Sequence, residues 1–135
     1  MMSAERAVTY VDSSAIVKLA VAEPESAALR RALTRRQTLV SSALARTEVA
    51  RALLPLGAEA VLRGEEVLRR LQLLRVNDRV LTEAGRLAPA ELRSLDAIHL
   101  ASAQQFGASL KRVVTYDARM AHAARALGFT VSSPT

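Results

Sequence analysis

Short apolar runs alternate along this chain with stretches in which apolar residues recur every three or four positions, and that alternation predicts strands followed by helices. Residues 7–11 form an apolar run with β-branched members, and Asp12, Ser13 and Ser14 follow at once with the residue types that start helices. Residues 15–22 are helix-compatible. Pro24 suits the first turn of a second helix over residues 25–36, with Leu29 and Leu33 facing inward. Residues 38–41 then read as a second strand.

The middle of the chain predicts a helical hairpin. One helix runs over residues 43–54 and is stopped by Pro55 and Gly57; its partner runs over residues 59–74 with Val67, Leu68, Leu71 and Leu74 on one face. A short strand is expected at residues 74–76, a short helix at 81–87, and a longer helix at 92–106 ended by Gly107. Residues 112–115 form the clearest later strand. Asp117 caps a helix to Leu127, Gly128 closes it, and residues 129–131 offer a last strand. Strands alternating with helices predict one α/β domain over residues 1–135, with a mainly parallel sheet and helices on both faces.

Composition narrows the chemistry. Half of the 135 residues are hydrophobic and 24% are charged, as in an ordinary folded domain. With no cysteine, disulfides, thiolate metal sites and cysteine nucleophiles are excluded, so any metal must be held by oxygen or imidazole. The N-terminus shows no signal-peptide pattern, and charged residues interrupt every apolar stretch before it reaches membrane-spanning length; a cytoplasmic protein is expected. The formal charge of +6, almost wholly from Arg, favours an anionic partner. Arg30, Arg31, Arg35 and Arg36 are candidates to contact it, although such a run also reads as a solvated helix face.

The chain has four aspartates, Asp12, Asp78, Asp96 and Asp117, and three lie beside apolar runs. Asp12 and Asp117 each end a predicted parallel strand, at the sheet edge where open α/β folds bind ligands. Glu48, between Leu44 and Ala52 at helical spacing, is expected to project from a buried stripe; Asp96 leads a stripe with His99, Leu100 and Ala103. Taken singly, Asp12 and Asp117 also read as helix caps, Glu48 as an ion-pair partner of Arg46 or Arg51, and Asp96 as a first-turn charge. Taken together, four carboxylates at one edge repel each other unless a cation neutralises them, which points to Mg²⁺ or Mn²⁺ and a phosphodiester substrate.

The segments Val11-Asp12-Ser13-Ser14-Ala15, Arg46-Thr47-Glu48-Val49, Leu95-Asp96-Ala97-Ile98-His99-Leu100-Ala101 and Val114-Thr115-Tyr116-Asp117, in this order, resemble the PIN-domain family over nearly the whole chain. The chain's size is similar to that of the VapC-type toxins of bacterial toxin–antitoxin pairs. The resemblance implies a three-layer α/β/α fold with a central, mainly parallel sheet of four to five short strands and a helical hairpin. It also implies a metal-dependent endoribonuclease whose acids carry over onto Asp12, Glu48, Asp96 and Asp117, holding Mg²⁺ or Mn²⁺. One or two ions would activate a water for in-line attack on phosphorus. Thr115 matches a hydroxyl that bonds a metal water or a carboxylate, and Ser13 is a second candidate for that role. Some relatives carry a further acid shortly after the fourth; here Ala118 follows Asp117 directly and Arg119 comes next, which puts a second metal position in doubt. A VapB-type antitoxin, an RNA substrate and a homodimer are the implied partners.

Two other functions fit parts of the pattern. A metal-free ribonuclease would use His99 and His122 as base and acid and leave cyclic phosphate ends. A non-catalytic PIN-like module would keep the fold and bind protein or RNA only.

Overall fold

The computed structural model describes residues 7–34 and 36–135. Strand β1 (Val8–Val11) leads into helix α1 (Ser13–Ala20), and α2 (Ser26–Leu33) into β2 (Thr38–Ser42). Helices α3 (Ala45–Leu53) and α4 (Ala58–Arg69) form the predicted hairpin, followed by β3 (Gln72–Leu74), α5 (Asp78–Ala84) and α6 (Ser94–Gln104). Strand β4 (Leu110–Val114), α7 (Ala118–Ala126) and β5 (Val131–Ser132) complete the order.

The described strands form one five-stranded sheet in the order β3-β2-β1-β4-β5, and every pairing is parallel. Because successive residues of a strand face opposite sides, the central strands separate two cores. Val11 and Val114 join the layer formed by α1 to α4, with Ala15, Ile16, Leu29, Val49 and Leu53 buried there. Tyr10, Val40 and Val113 face the other way onto Ala103 of α6. Helices α5 and α6 pack together on that side, and Leu100 of α6 meets Met120, Ala123 and Ala124 of α7. The expected α/β/α layering is therefore present.

The chain winds outward from β1 through β2 to β3, then returns to the other side of β1 as β4. The reversal falls between β1 and β4, so the crevice at their carboxyl ends is the topological switch point, where this class of sheet admits ligands. Asp12 and Thr115 are the residues that leave those two strands.

Several expected boundaries shift. The second hairpin helix ends at Arg69 instead of residue 74, and residues 72–74 form β3. Leu71 and Leu74 continue the helix-period stripe by coincidence, because an edge strand of three residues is too short to show its own period. Pro55 does not end α3 abruptly: it sits in a 3-10 turn, Leu54–Leu56, and Gly57 with φ of 104° supplies the reversal into α4. In the hairpin, Gly64 lies against α3 so closely that an added Cβ would stand 2.6 Å from Leu53 Cδ1.

Candidate active site

Asp12 is the most constrained acid. It leaves β1 with its backbone N–H donating to Val114 O at 3.1 Å and then caps α1, accepting from the Ala15 N–H at 3.1 Å. Its side chain is 4% exposed. Ser14 Oγ donates to Oδ1 at 2.6 Å and Thr115 Oγ1 to Oδ2 at 2.5 Å. Burial raises the Asp12 carboxyl above its ordinary value, against the pull of Ser14, Thr115, the Ala15 N–H and His99. Four favourable contacts therefore do not offset the lost hydration of the carboxylate.

Glu48 lies in the first turn of α3, beside the buried residues Ala45, Val49 and Leu53. The expected stripe through Leu44 and Ala52 is one step out: Leu44 is half-buried and Ala52 exposed, so Glu48 borders the packed face instead of rising from its middle. Its Oε1 accepts from Ser13 Oγ at 2.6 Å and from His99 Nε2 at 2.5 Å. His99 Nδ1 in turn lies 2.6 Å from the Tyr10 hydroxyl, and the two buried rings meet edge to face at 5.8 Å. A proton on Nε2 satisfies this chain, with Tyr10 donating to Nδ1; the tautomer is assigned from the network. Burial acts to raise the Glu48 carboxyl, but His99 and Ser13 outweigh it and hold it below its ordinary value.

The other two acids stand at helix starts. Asp117 caps α7, accepting from the N–H groups of Arg119 at 2.8 Å and Met120 at 3.2 Å, and its own N–H donates to Thr115 Oγ1 at 3.1 Å. Thr115, fully buried, thus links Asp12 to Asp117. Asp96 is half-buried in the first turn of α6 and, among the described residues, its carboxylate has no hydrogen-bond or ion-pair partner. Burial first, then the charge of Asp117, push its carboxyl up, against His99 and Arg93.

All six residues read from the sequence as site members lie at this edge of the sheet: Asp12, Glu48, Asp96, Asp117, Thr115 and Ser13. Among the described residues no three Asp, Glu or His side chains are drawn together tightly enough to enclose a metal ion. The donor set nonetheless fits a hard divalent cation, since its oxygens include a buried carboxylate and a half-buried one with no hydrogen-bond or ion-pair partner among the described residues. Neither alternative partner for Glu48, Arg46 or Arg51, forms an ion pair with it; the partner is His99. Arg30, Arg31 and Arg36 are exposed and away from the crevice. Arg31 and Arg36 border a cleft with Thr9 and Lys111 at the amino ends of the strands, and Arg35 lies outside the described residues.

Two participants escaped the sequence reading. Ser14 was legible only as a helix-start residue, yet its hydroxyl donates to Asp12 and accepts from the Tyr116 N–H at 2.9 Å. Its position, two residues past a strand-end acid, was the available signal. Tyr10 sits 89 residues from His99, and nothing local links them.

The sequence model of the PIN domain family matches residues 9–126. Ribonuclease VapC46 of Mycobacterium tuberculosis is 60% identical over 129 residues, covering 96% of this chain and 99% of that protein. Ribonuclease VapC47 of the same species is 38% identical over 130 residues, covering 93% and 96%. Among solved structures, the M. tuberculosis toxin VapC20, described as cleaving the sarcin-ricin loop, superposes with a TM-score of 0.74 at 17% identity, over 93% of this chain and 99% of that one. A toxin–antitoxin complex from Klebsiella pneumoniae gives 0.68 at 16%, over 94% and 98%. No described helix is long and apolar enough to cross a membrane.

Proposed function

This chain belongs to the PIN domain family, and we propose that it is a VapC-type ribonuclease toxin that cuts RNA endonucleolytically at the crevice between β1 and β4, using Mg²⁺ or Mn²⁺. The observation that supports this most is the state of Asp12 and Asp96: two carboxyls raised by burial at a sheet edge, one of them without a hydrogen-bond or ion-pair partner among the described residues, beside Glu48 and Asp117. Such a group is costly unless a cation and its ligand complete it. When bound, Mg²⁺ or Mn²⁺ held by the four acids would supply Lewis-acid polarisation of the phosphodiester and a more acidic water.

The chain's own residues prepare that site. Ser14, Thr115 and the Ala15 N–H fix both oxygens of Asp12, so its direction does not change when an ion arrives. Ser13 and His99 both donate to Oε1 of Glu48, and among the described residues Oε2 carries no hydrogen bond. Hydrolysis by water needs no side-chain nucleophile and leaves a 5′ phosphate and a 3′ hydroxyl. The two-histidine route loses its geometry here, because His99 is buried between Tyr10 and Glu48 while His122 is exposed on α7.

The antitoxin belongs to the same proposal, as do the cytoplasmic setting and the homodimer. Leu54, Leu56 and Leu62 are about half or more exposed on and beside the hairpin, an apolar surface suited to a protein partner, whereas Leu53 fills the core. Arg30, Arg31 and Arg36 would meet RNA or antitoxin at the periphery only.

Purified, antitoxin-free protein incubated with total RNA in Mg²⁺, Mn²⁺ or EDTA tests the activity, with Asp12→Ala and Asp96→Ala in parallel. Cleavage only with metal, lost in both folded variants, is expected. Equal cleavage in EDTA, or cyclic phosphate ends, would refute the metal-water route. Inactivity of the wild type on every RNA tested, with binding retained, would favour the binding module.

A further inference from the structure

A cleft of about 470 Å³ opens beside Asp96, between the start of α6 and the start of α7. That volume lies in the roughly 300–1,000 Å³ range of small-ligand sites. Leu92 and the buried Ala123 give it an apolar wall, Arg93, Arg119 and His122 stand around it, and Glu91 joins Asp96 as a second carboxylate on the lining. Among the described residues, neither guanidinium makes an ion pair or a side-chain hydrogen bond, so both are available to a ligand. Asp96 lines the cleft and also belongs to the acid crevice, which sets the cleft directly beside the acids.

We propose that this cleft is a nucleotide subsite: it seats the base next to the scissile phosphate, with Arg93 and Arg119 holding the flanking phosphates. The proposal rests on the ribonuclease reading above. A nucleotide is the occupant whose chemistry matches, because it joins a flat, largely apolar body to an anion. Single-stranded RNA can splay such a base out of its stack, onto apolar, imidazole or guanidinium surfaces. An acidic peptide would bring anions without a body to cover Leu92 and Ala123. The cleft would therefore select which nucleotide lies beside the cut, while the acids act on a backbone common to all sequences.

Binding can be read without catalysis. A fluorescent, mixed-sequence RNA octamer is titrated into Asp12→Asn protein in Mg²⁺, alone and combined with Arg119→Glu, Arg93→Glu or Ala118→Trp, the last filling the cleft from its exposed rim. Each addition should weaken binding about tenfold, the scale of one lost base or phosphate contact. The arginine variants should also reduce the salt slope by about 0.7 or more. Lys111→Glu, at the amino end of β4, should change affinity less than twofold, and the His122 ring resonances should shift on adding the octamer. Thermal melts check that each variant is folded, and the two arginine variants carry the test if Ala118→Trp is not.

Failure of the parent to bind the octamer, or affinities within twofold in the arginine variants, would overturn the proposal. So would unchanged RNA binding with lost affinity for an Asp- and Glu-rich peptide, which would assign the cleft to a protein partner. If the wild type cuts no RNA but these variants lose octamer binding, the nuclease reading fails and the subsite stands. Normal cleavage with no effect of the variants on binding gives the reverse.

Discussion

The four acids divide into two unlike pairs. Asp12 and Glu48 are held by side chains, all but the neighbouring Ser14 from distant segments: Ser14 and Thr115 on one, Ser13 and His99 on the other. Asp96 and Asp117 stand at helix starts, one without a side-chain partner among the described residues and the other serving as a cap. One pair is fixed by side chains before any ligand arrives; in the other, Asp117 is held only by the backbone N–H groups it caps, and Asp96 can adjust. Rigid placement on one side and freedom on the other suits a site that must grip an ion and still accept a moving substrate.

The largest effect should come from removing an acid. Asp12→Ala or Asp96→Ala takes away several kcal/mol of charge stabilisation, so cleavage of total RNA should fall on the order of a thousandfold. If Asp96→Ala retains near wild-type activity, the second pair is peripheral and the division fails.

Next come the supports of the fixed pair. Thr115→Val and His99→Gln should each lower activity or Mn²⁺ affinity about 10–100-fold, as outer partners of metal-holding carboxylates do. Glutamine keeps a donor for Glu48, so it should outperform His99→Ala; equal loss in both would reduce His99 to a packing role. Tyr10→Phe leaves the buried His99 Nδ1 without its partner and should cost about 1–3 kcal/mol in chemical denaturation.

A smaller effect separates the two members of the fixed pair by pH. Folding raises the Asp12 carboxyl above 3.8, so the folded chain binds more protons than the unfolded one between that value and the raised one. Stability therefore falls as pH rises through this window, and the penalty is complete above it. Asp12→Asn should melt higher than wild type in EDTA at neutral pH, with the difference vanishing below the ordinary Asp value. Glu48 has the opposite sign: its carboxyl is lowered from 4.5, so its contribution is present above that value and is lost as pH falls. Glu48→Gln should melt lower than wild type at neutral pH.

The smallest effect concerns the adjustable pair. Asp117→Asn keeps a helix cap but removes the charge that helps to raise Asp96. In a carboxyl carbon NMR titration, Asp96 should move toward its ordinary value. An unmoved Asp96 would show that burial alone sets it.

Much of this contrast was readable in the chain. Asp12 and Asp117 stand out only as members of a set, since each alone also reads as a helix cap and each does cap a helix; Thr115 follows from the resemblance and its place two residues before the second of them. The supports were not readable to the same degree. Hydroxyls at residues 13 and 14 suit a helix start, and their later duties depend on Glu48 and Thr115 being folded alongside. The Tyr10–His99 contact passes through the sheet's interior, where periodicity shows only that both residues are covered. Strand β3 was expected two residues late, at residues 74–76, because an exposed Gln72 carries too little pattern to compete with Leu71 and Leu74 at helical spacing.

The order of the strands has a consequence for the cell that makes this protein. Val11 pairs with Val114, and the crevice closes only when the segment ending in Asp117 lies beside the first strand. A chain still emerging from the ribosome has Asp12, Glu48 and even Asp96 outside before it has the Thr115 that orients the first of them. Synthesis therefore delivers the parts in an order that withholds the finished site until the segment around Thr115 has emerged, and a message truncated before residue 115 encodes no finished site. The segment from β4 to the start of α7, not the first strand, decides when the site comes into being.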